Sequence, residues 1–416
     1  MRRYESYKDS GVEWLGKIPS QWELTIGMNV FRENKRDNKG MKEKTVLSLS
    51  YGQIIIKPEE KLVGLVPESF ETYQIVEPND IIIRCTDLQN DQTSLRTGLA
   101  KDKGIITSAY LNLKVINNHS AKFLHYYLHT LDITKVLYKF GSGLRQNLSF
   151  LDFKRLPIID IPLSEQQKIA QFLDDKIAKI DQAVDLAEKQ IALLKEHKQI
   201  LIQNAVTRGL NPDVPLKDSG VEWIGQVPEH WEVKRLKFVL TLSNKKEESK
   251  NSNKRYIGME NIESFTGKIN DIPLIAEGIA NSFYKDEILF GKLRPYLAKS
   301  YLADFDGICS TEFLVYRSTK VLNNRFALNI FLSYGFIDAV NASTYGSKMP
   351  RANAEFISNM FLAIPPLSEQ KQIIDYLDKQ TAKIDQAIAL KTAHIEKLKE
   401  YKSVLINDVV TGKVRV

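Results

Sequence analysis

Three short polar segments in the second half of this 416-residue chain gather side chains that bond well to nucleobases and phosphate. Lys292-Leu293-Arg294-Pro295-Tyr296 offers two cations, a ring that can stack and a rigid turn. Ser310-Thr311-Glu312 follows. Gly346-Ser347-Lys348-Met349-Pro350-Arg351 supplies small residues for close backbone approach, with Lys and Arg for phosphate or guanine. The first half answers at each place. Arg84, Asp87, Gln89 and Asn90, with Arg96 just beyond, stand in for the first segment. Thr107-Ser108 stands in for the second, and Ser142, Arg145, Gln146 and Asn147 for the third. Arg, Lys, Asn and Gln carry the paired donors and acceptors that read base edges. One such loop is ordinary surface. Two independent sets at matching positions point to contact with double-stranded DNA.

Patterns for catalysis do not form. Gly11 to Lys17 fits GxxxxGK, but Ile18 follows where a phosphate loop needs Ser or Thr, and Trp14 sits inside it. Gly141-Ser142-Gly143 lacks the third glycine of a dinucleotide loop. The six histidines show no HExxH spacing, and Cys85 and Cys309 form no CxxC. Both thiols read as reduced. Pro365-Pro366 is not preceded by Asn or Asp, so the loop of adenine methyltransferases is missing. The expectation is a non-catalytic chain that binds no metal and no cofactor.

The polar segments sit within an internal repeat. Asp9-Ser10-Gly11-Val12-Glu13-Trp14-Leu15-Gly16 returns as Asp218-Ser219-Gly220-Val221-Glu222-Trp223-Ile224-Gly225, and Pro19 and Trp22 return as Pro228 and Trp231. Pro162-Leu163-Ser164-Glu165-Gln166 returns as Pro366-Leu367-Ser368-Glu369-Gln370, and Ala178 to Ala183 as Ala382 to Ala387. The halves match at their edges and diverge in the middle. Copied edges suggest a common frame; diverged middles suggest two versions of one task.

After each Pro-Leu-Ser-Glu-Gln motif, no proline or glycine appears until Gly209 or Gly412. Ser164 and Ser368 are candidate N-caps, the first with Gln167 completing a capping box. Apolar residues recur at alternating spacings of four and three. One series runs Leu173, Ile177, Ile180, Val184, Ala187, Ile191, Leu194, Lys198, Leu201, Ala205; the other runs Leu377, Thr381, Ile384, Ile388, Lys391, Ile395, Leu398, Lys402, Leu405, Val409. This is a heptad seam. At 1.5 Å per residue each helix is about 60 Å long, and its seam must be buried on a mate. An antiparallel pair of these helices would place the domains at opposite ends, related by a pseudo-twofold. Lys198 and Lys402 occupy equivalent seam positions, either snorkelling or facing an acid.

The domains read as mixed α/β. Ile54-Ile55-Ile56, Ile81-Ile82-Ile83 and Leu111 to Val115 read as strands, and Phe123 to Leu131 as a helix. Asp286 to Phe290, Phe313 to Tyr316 and a helix near Phe326 to Tyr334 mirror them. The boundaries follow: domain one over 1–163, helix one over 164–210, domain two over 211–367 and helix two over 368–416. Composition agrees with globular structure, at 43% hydrophobic and 26% charged residues, with a mildly basic net charge of +7. No apolar run approaches the roughly 20 residues that span a bilayer, so no membrane partner and a cytoplasmic location are expected.

These motifs resemble those of the DNA specificity subunit of type I restriction–modification enzymes, over essentially the whole chain. The resemblance is carried by GVEWLG and GVEWIG with their following Pro and Trp, the Pro-Leu-Ser-Glu-Gln helix starts, and the Ala-Lys-Ile-Asp-Gln-Ala repeats. Tyr256 to Asn261 (YIGMEN), Leu289 to Lys299 (LFGKLRPYLAK) and Gly307 to Phe313 (GICSTEF) add to it. It implies two target recognition domains of mixed α/β fold, separated by a long antiparallel two-helix coiled coil, that read a bipartite, asymmetric DNA site. It adds Tyr256 to the DNA-contacting candidates. It implies that the paired helices dock two methyltransferase subunits, that restriction subunits join them, and that S-adenosylmethionine, ATP and magnesium bind those partners. A non-catalytic scaffold whose globular domains bind protein is the rival reading.

Overall fold

The computed structural model describes residues 2–58, 60, 69–91, 93–141, 146–275, 277–346 and 348–416, without the Asn251 side chain. The chain divides into two compact units, Met1–Leu186 with Ala393–Val416, and Ala187–Thr392. The division falls inside the long helices, which run over Leu163–Arg208 and Leu367–Val410. The helices thus start one residue before the expected serine caps. Ser164 lies in the first turn, and the Pro162 carbonyl accepts from the Glu165 and Gln166 amides.

The first unit is built on an antiparallel sheet in the order Phe31–Glu33, Tyr110–Val115, Ile81–Arg84, Thr97–Leu99. Ile81 and Ile83 face one core while Ile82 faces another. A strand buried on both faces reads as an unbroken apolar run, which is why Ile81-Ile82-Ile83 shows no alternation. The helix Ala121–Ile133, capped by Ser120, lays Phe123, Leu124, Tyr127, Leu128 and Leu131 into the larger core.

The second unit repeats this order with Leu240–Ser243, Phe313–Ser318, Ile288–Gly291 and Ser300–Leu302. Leu289 again faces a core separate from that of Ile288 and Phe290. The helix expected near 326–334 is two helices, Asn324–Phe331 and Tyr334–Ala342. The break is at Ser333, fully buried, whose hydroxyl donates to the Ile330 carbonyl.

In both units the copied motifs meet at one junction. Trp22 Nε1 donates to Glu165 Oε1 at 3.1 Å, and Trp231 Nε1 donates to Glu369 Oε2 at 3.1 Å. Against Trp22 lies Gly412 (φ 76°); against Trp231 lies Gly209 (φ 74°). The buried indole, the carboxylate at one helix start and the left-handed glycine at the other helix end form one knot. The GxxxxGK match is a tight turn: Asp9 Oδ1 accepts from the Gly11 amide and Ser10 Oγ from the Val12 amide.

Every residue of the two seam series is buried or half-buried. Within the first unit the helices run antiparallel, with Lys402 Nζ 2.7 Å from Asp181 Oδ1. Within the second they do so again, with Lys198 Nζ 2.6 Å from Asp385 Oδ1 and Lys391 Nζ 2.6 Å from Gln190 Oε1. Lys198 and Lys402 therefore face acids of the opposite helix, and Lys391 faces a glutamine side-chain oxygen.

Candidate nucleic-acid interface

In the second unit one sheet edge gathers all three polar segments. Gly291, the last residue of its strand, pairs with Phe313, the first of the next, so the segments at 292 and 310 are neighbours. The Lys292 amide donates to the Glu312 carbonyl at 2.9 Å. The third segment is stitched to the first: Ala352 N donates to Lys292 O at 2.9 Å and Arg294 N to Pro350 O at 2.7 Å. Ser310 N donates to Ile257 O at 2.9 Å, which brings Tyr256 alongside. The Tyr256 phenol is pushed up by burial, with the Ser310 hydroxyl opposing.

Arg294 sits in the left-handed region (φ 51°) as a non-glycine. Such a residue costs about 1–2 kcal/mol and persists only where its surroundings fix it. Here the Pro350 carbonyl fixes it. Among the described residues neither Lys292 Nζ nor the Arg294 guanidinium has an ion-pair or hydrogen-bond partner, and Tyr296, Thr311 and Lys348 are exposed. Arg351 is different. Its guanidinium grips Glu312 through Nε and Nη2 at 3.1–3.3 Å, so it braces two segments against each other. Glu312 stands in the second polar segment of the sequence, but its part as the brace for Arg351 shows only in the packing.

The first unit repeats the stitching with other side chains. Leu148 N donates to Cys85 O at 2.9 Å, as Ala352 does to Lys292. Asp87, two residues further, is again a left-handed non-glycine (φ 59°), and its amide is held by Asn147 Oδ1 at 2.9 Å. Asn90 Nδ2 donates to Asp87 Oδ1 at 2.7 Å. Arg84 pairs with Asp91 at 3.1 Å; hydrogen bonds from Ser94, then Thr93 and the Arg84 charge, hold that carboxyl down at about 2. Gln89, Asn90, Gln146, Asn147 and Ser108 are exposed, and Thr107 is half-buried. Thr107 and Ser108 lie in the turn entering Tyr110–Val115, where Tyr110 pairs with Arg84. Ser108 Oγ donates to the Thr72 carbonyl. Ser142, Arg145 and Ser347 lie outside the described residues.

Arg96 is a correction. It is fully buried, and its guanidinium donates to the carbonyls of Arg84, Thr86, Asp87 and Asp91 and to Tyr138 Oη. The fork of donors that suits guanine suits a ring of carbonyls equally well. Arg96 shapes the 84–91 loop from inside and presents nothing outward.

Among the described residues no helix is long and apolar enough to cross a membrane, and no cluster of three or more His, Cys, Asp or Glu could hold a metal. Two units, each offering three stitched loops from one edge of a like-ordered sheet beside paired helices, define a duplicated, loop-presenting recognition subunit. The chain matches the type I restriction modification DNA specificity domain over residues 29–195 and 228–400, and it belongs to that family. It is 27% identical over 242 residues to the EcoDI specificity subunit of Escherichia coli, an alignment spanning 53% of this chain and about half, 54%, of that one. It is 23% identical to the putative type I restriction enzyme MjaX specificity subunit of Methanocaldococcus jannaschii, across 97% of this chain and 96% of that one. A solved chain described under complex assembly and conformational transition of the type I R-M system superposes with a TM-score of 0.69 at 14% identity, covering 95% of this chain and 99% of that one. The HsdS subunit from Thermoanaerobacter tengcongensis gives 0.54 at 14% identity, covering 95% and 98%. These likenesses carry the fold.

Proposed function

We propose that this specificity subunit is non-catalytic and reads a bipartite, asymmetric DNA site, one half with each unit. The carrying observation is that the same stitched loop triad recurs at the same sheet edge with different chemistry. The second unit offers Lys292, Arg294, Tyr296 and Lys348; the first offers Gln89, Asn90, Gln146 and Asn147. Amides favour adenine edges and cations favour guanine and phosphate, so the halves should differ in base content. The paired helices dock two methyltransferase subunits. Leu186, Leu193 and Ile200, exposed on the first helix at seven-residue spacing, support this reading. Restriction subunits would complete the assembly. S-adenosylmethionine, ATP and magnesium belong to those partners.

Gel-shift titration of the reconstituted methyltransferase complex against competing duplexes tests the reading. It expects one sequence to win by 10³-fold or more at moderate salt, roughly the usual margin of specific over non-specific binding. Equal affinity for all duplexes would overturn it.

A further inference from the structure

The first unit carries a tight turn, Asn38 to Lys44, that displays Lys39, Lys42 and Lys44. Its backbone is fixed from inside. Asn38 is fully buried; its Nδ2 donates to the Glu43 carbonyl at 3.0 Å and to the Phe70 carbonyl at 3.2 Å, and its Oδ1 accepts from the Glu43 amide at 3.0 Å. The Met41 amide closes on the Asn38 carbonyl at 3.0 Å. The nearby glutamates turn onto the backbone. Glu43 Oε1 accepts from the Lys44 and Thr45 amides at 2.9 Å, and Glu71 Oε1 from the Gly40 amide at 2.7 Å. Asp37, just before the turn, is an exposed acid without such a bond. Lys39, Lys42 and Lys44 are exposed and, among the described residues, have no ion-pair or hydrogen-bond partner.

This turn is fastened to the reading edge. Gln74, buried in the strand Gln74–Val76, bridges Asp37 through its backbone, and its Nε2 donates to the Thr107 carbonyl at 3.1 Å and the Tyr110 carbonyl at 2.6 Å. The Asn38 amide reaches the Tyr73 carbonyl at 3.2 Å, and Ser108 Oγ donates to the carbonyl of Thr72 beside it. The second unit makes the same connection with other residues. The amide of buried Ser249 donates to the Gly278 carbonyl at 2.9 Å, and the Ser252 amide closes on Ser249 as Met41 closes on Asn38. Asn281 pairs with Lys246, and its Nδ2 donates to the Phe313 carbonyl at 2.9 Å, as Gln74 donates to Tyr110. Tyr110 and Phe313 each open the strand after the second polar segment. In both units an amide side chain thus ties a lysine-bearing turn to that segment. The cations differ in availability. Lys254 stands 2.6 Å from Glu247 and Arg255 2.7 Å from Asp271, whereas the three lysines of the first unit face solvent unpaired among the described residues.

We propose that the Asn38–Lys44 turn grips the phosphodiester backbone of the duplex beside the half-site that the first unit reads, through Lys39, Lys42 and Lys44. This rests on reading the chain as a DNA-binding subunit. An ammonium meets phosphate as a point charge and carries no base information, so such contacts set register while the loops beside them read bases. A turn already held by Asn38 loses little freedom when it binds. Lys254 and Arg255, neutralised within the chain, have less charge to offer at the matching place in the second unit.

Binding of the reconstituted methyltransferase complex to duplexes between about 50 and 200 mM salt tests this. Each phosphate contact contributes about 0.9 to the slope of log affinity against log salt. The variant Lys39→Gln/Lys42→Gln/Lys44→Gln removes no bond made among the described residues and should fold as the parent chain does. It should flatten the slope by about 2–3. Affinity for the target and for duplexes altered at one base pair should fall by the same factor, leaving the preference between them unchanged. A slope equal to the parent's, or a loss confined to the target duplex, would overturn the inference and leave the functional reading intact. An unchanged slope with weakened recruitment of the methyltransferase subunits would likewise overturn it and make the turn a protein contact. A parent complex that binds all duplexes alike, with the slope still flattened in the variant, would overturn the functional reading alone.

Discussion

Lys198 Nζ stands 2.6 Å from Asp385 Oδ1, with the lysine side chain only 12% exposed and the aspartate 33%. The counterpart in the first unit, Lys402 with Asp181, is wetter at 31% and 51%. Burial sets the worth of such a pair. Charge-assisted bonds sheltered from water contribute about 1.5–3 kcal/mol, whereas exposed pairs contribute about 0–1. Asp385→Ala should therefore destabilise the chain by about 1–2 kcal/mol, and Asp181→Ala by less than about 1 kcal/mol. Urea unfolding of both variants compares them; equal losses would contradict the ranking.

Arg96→Ala should damage one half-site only. It strips four loop carbonyls of a donor, which costs about 1–3 kcal/mol, and lets the 84–91 loop relax. Arg96→Lys should behave much the same, because an ammonium cannot reproduce the fork. Binding to duplexes altered in one half at a time reads this out. Discrimination should fall in the half that Arg294→Ala leaves untouched.

Arg294→Ala should act the other way round. It removes a cation without a partner among the described residues and leaves both the left-handed backbone and its bond to the Pro350 carbonyl in place, so the melting temperature should hold. Discrimination at one base pair should fall by about 1–3 kcal/mol, the usual worth of a base-reading side chain. A variant with unchanged base preference would remove Arg294 from the readers.

His125 and His129 make a pH dependence. Unfolded, each titrates near 6.5; folded, burial pushes them down to about 3 and about 4. Between those values the unfolded chain binds more protons, so the fold loses stability as pH drops from 6.5 toward 4. Above 6.5 the effect is absent. The melting temperature of His125→Leu/His129→Leu should fall less steeply over that window than that of the parent chain.

Much of the frame was legible because duplication and period carry it. Trp22, Glu165 and Gly412 stood out as copied residues, and the structure brings them together. The seam was readable from spacing alone. What escaped has physical reasons. A second sheet in the second unit joins Lys246–Glu248, Ile279–Phe283, Gly307–Cys309 and Tyr256–Ile257, the last pair parallel; three of these strands have only two or three residues, too few to carry a period. Arg96 and Arg294 look alike in sequence. One is buried under its own loop and the other stands free, and only packing separates them. His125 and His129 gave no signal, because an i, i+4 pair on a helix is ordinary until packing buries it.

The central claim is that two like frames carry two unlike readers. Methylation-sensitive sequencing of DNA modified by the reconstituted complex tests it most directly. The prediction is one modified motif with two non-identical halves at a fixed gap, one half relaxed by Arg294→Ala and the other by Arg96→Ala. A palindromic or contiguous motif, or both variants relaxing the same half, would contradict it.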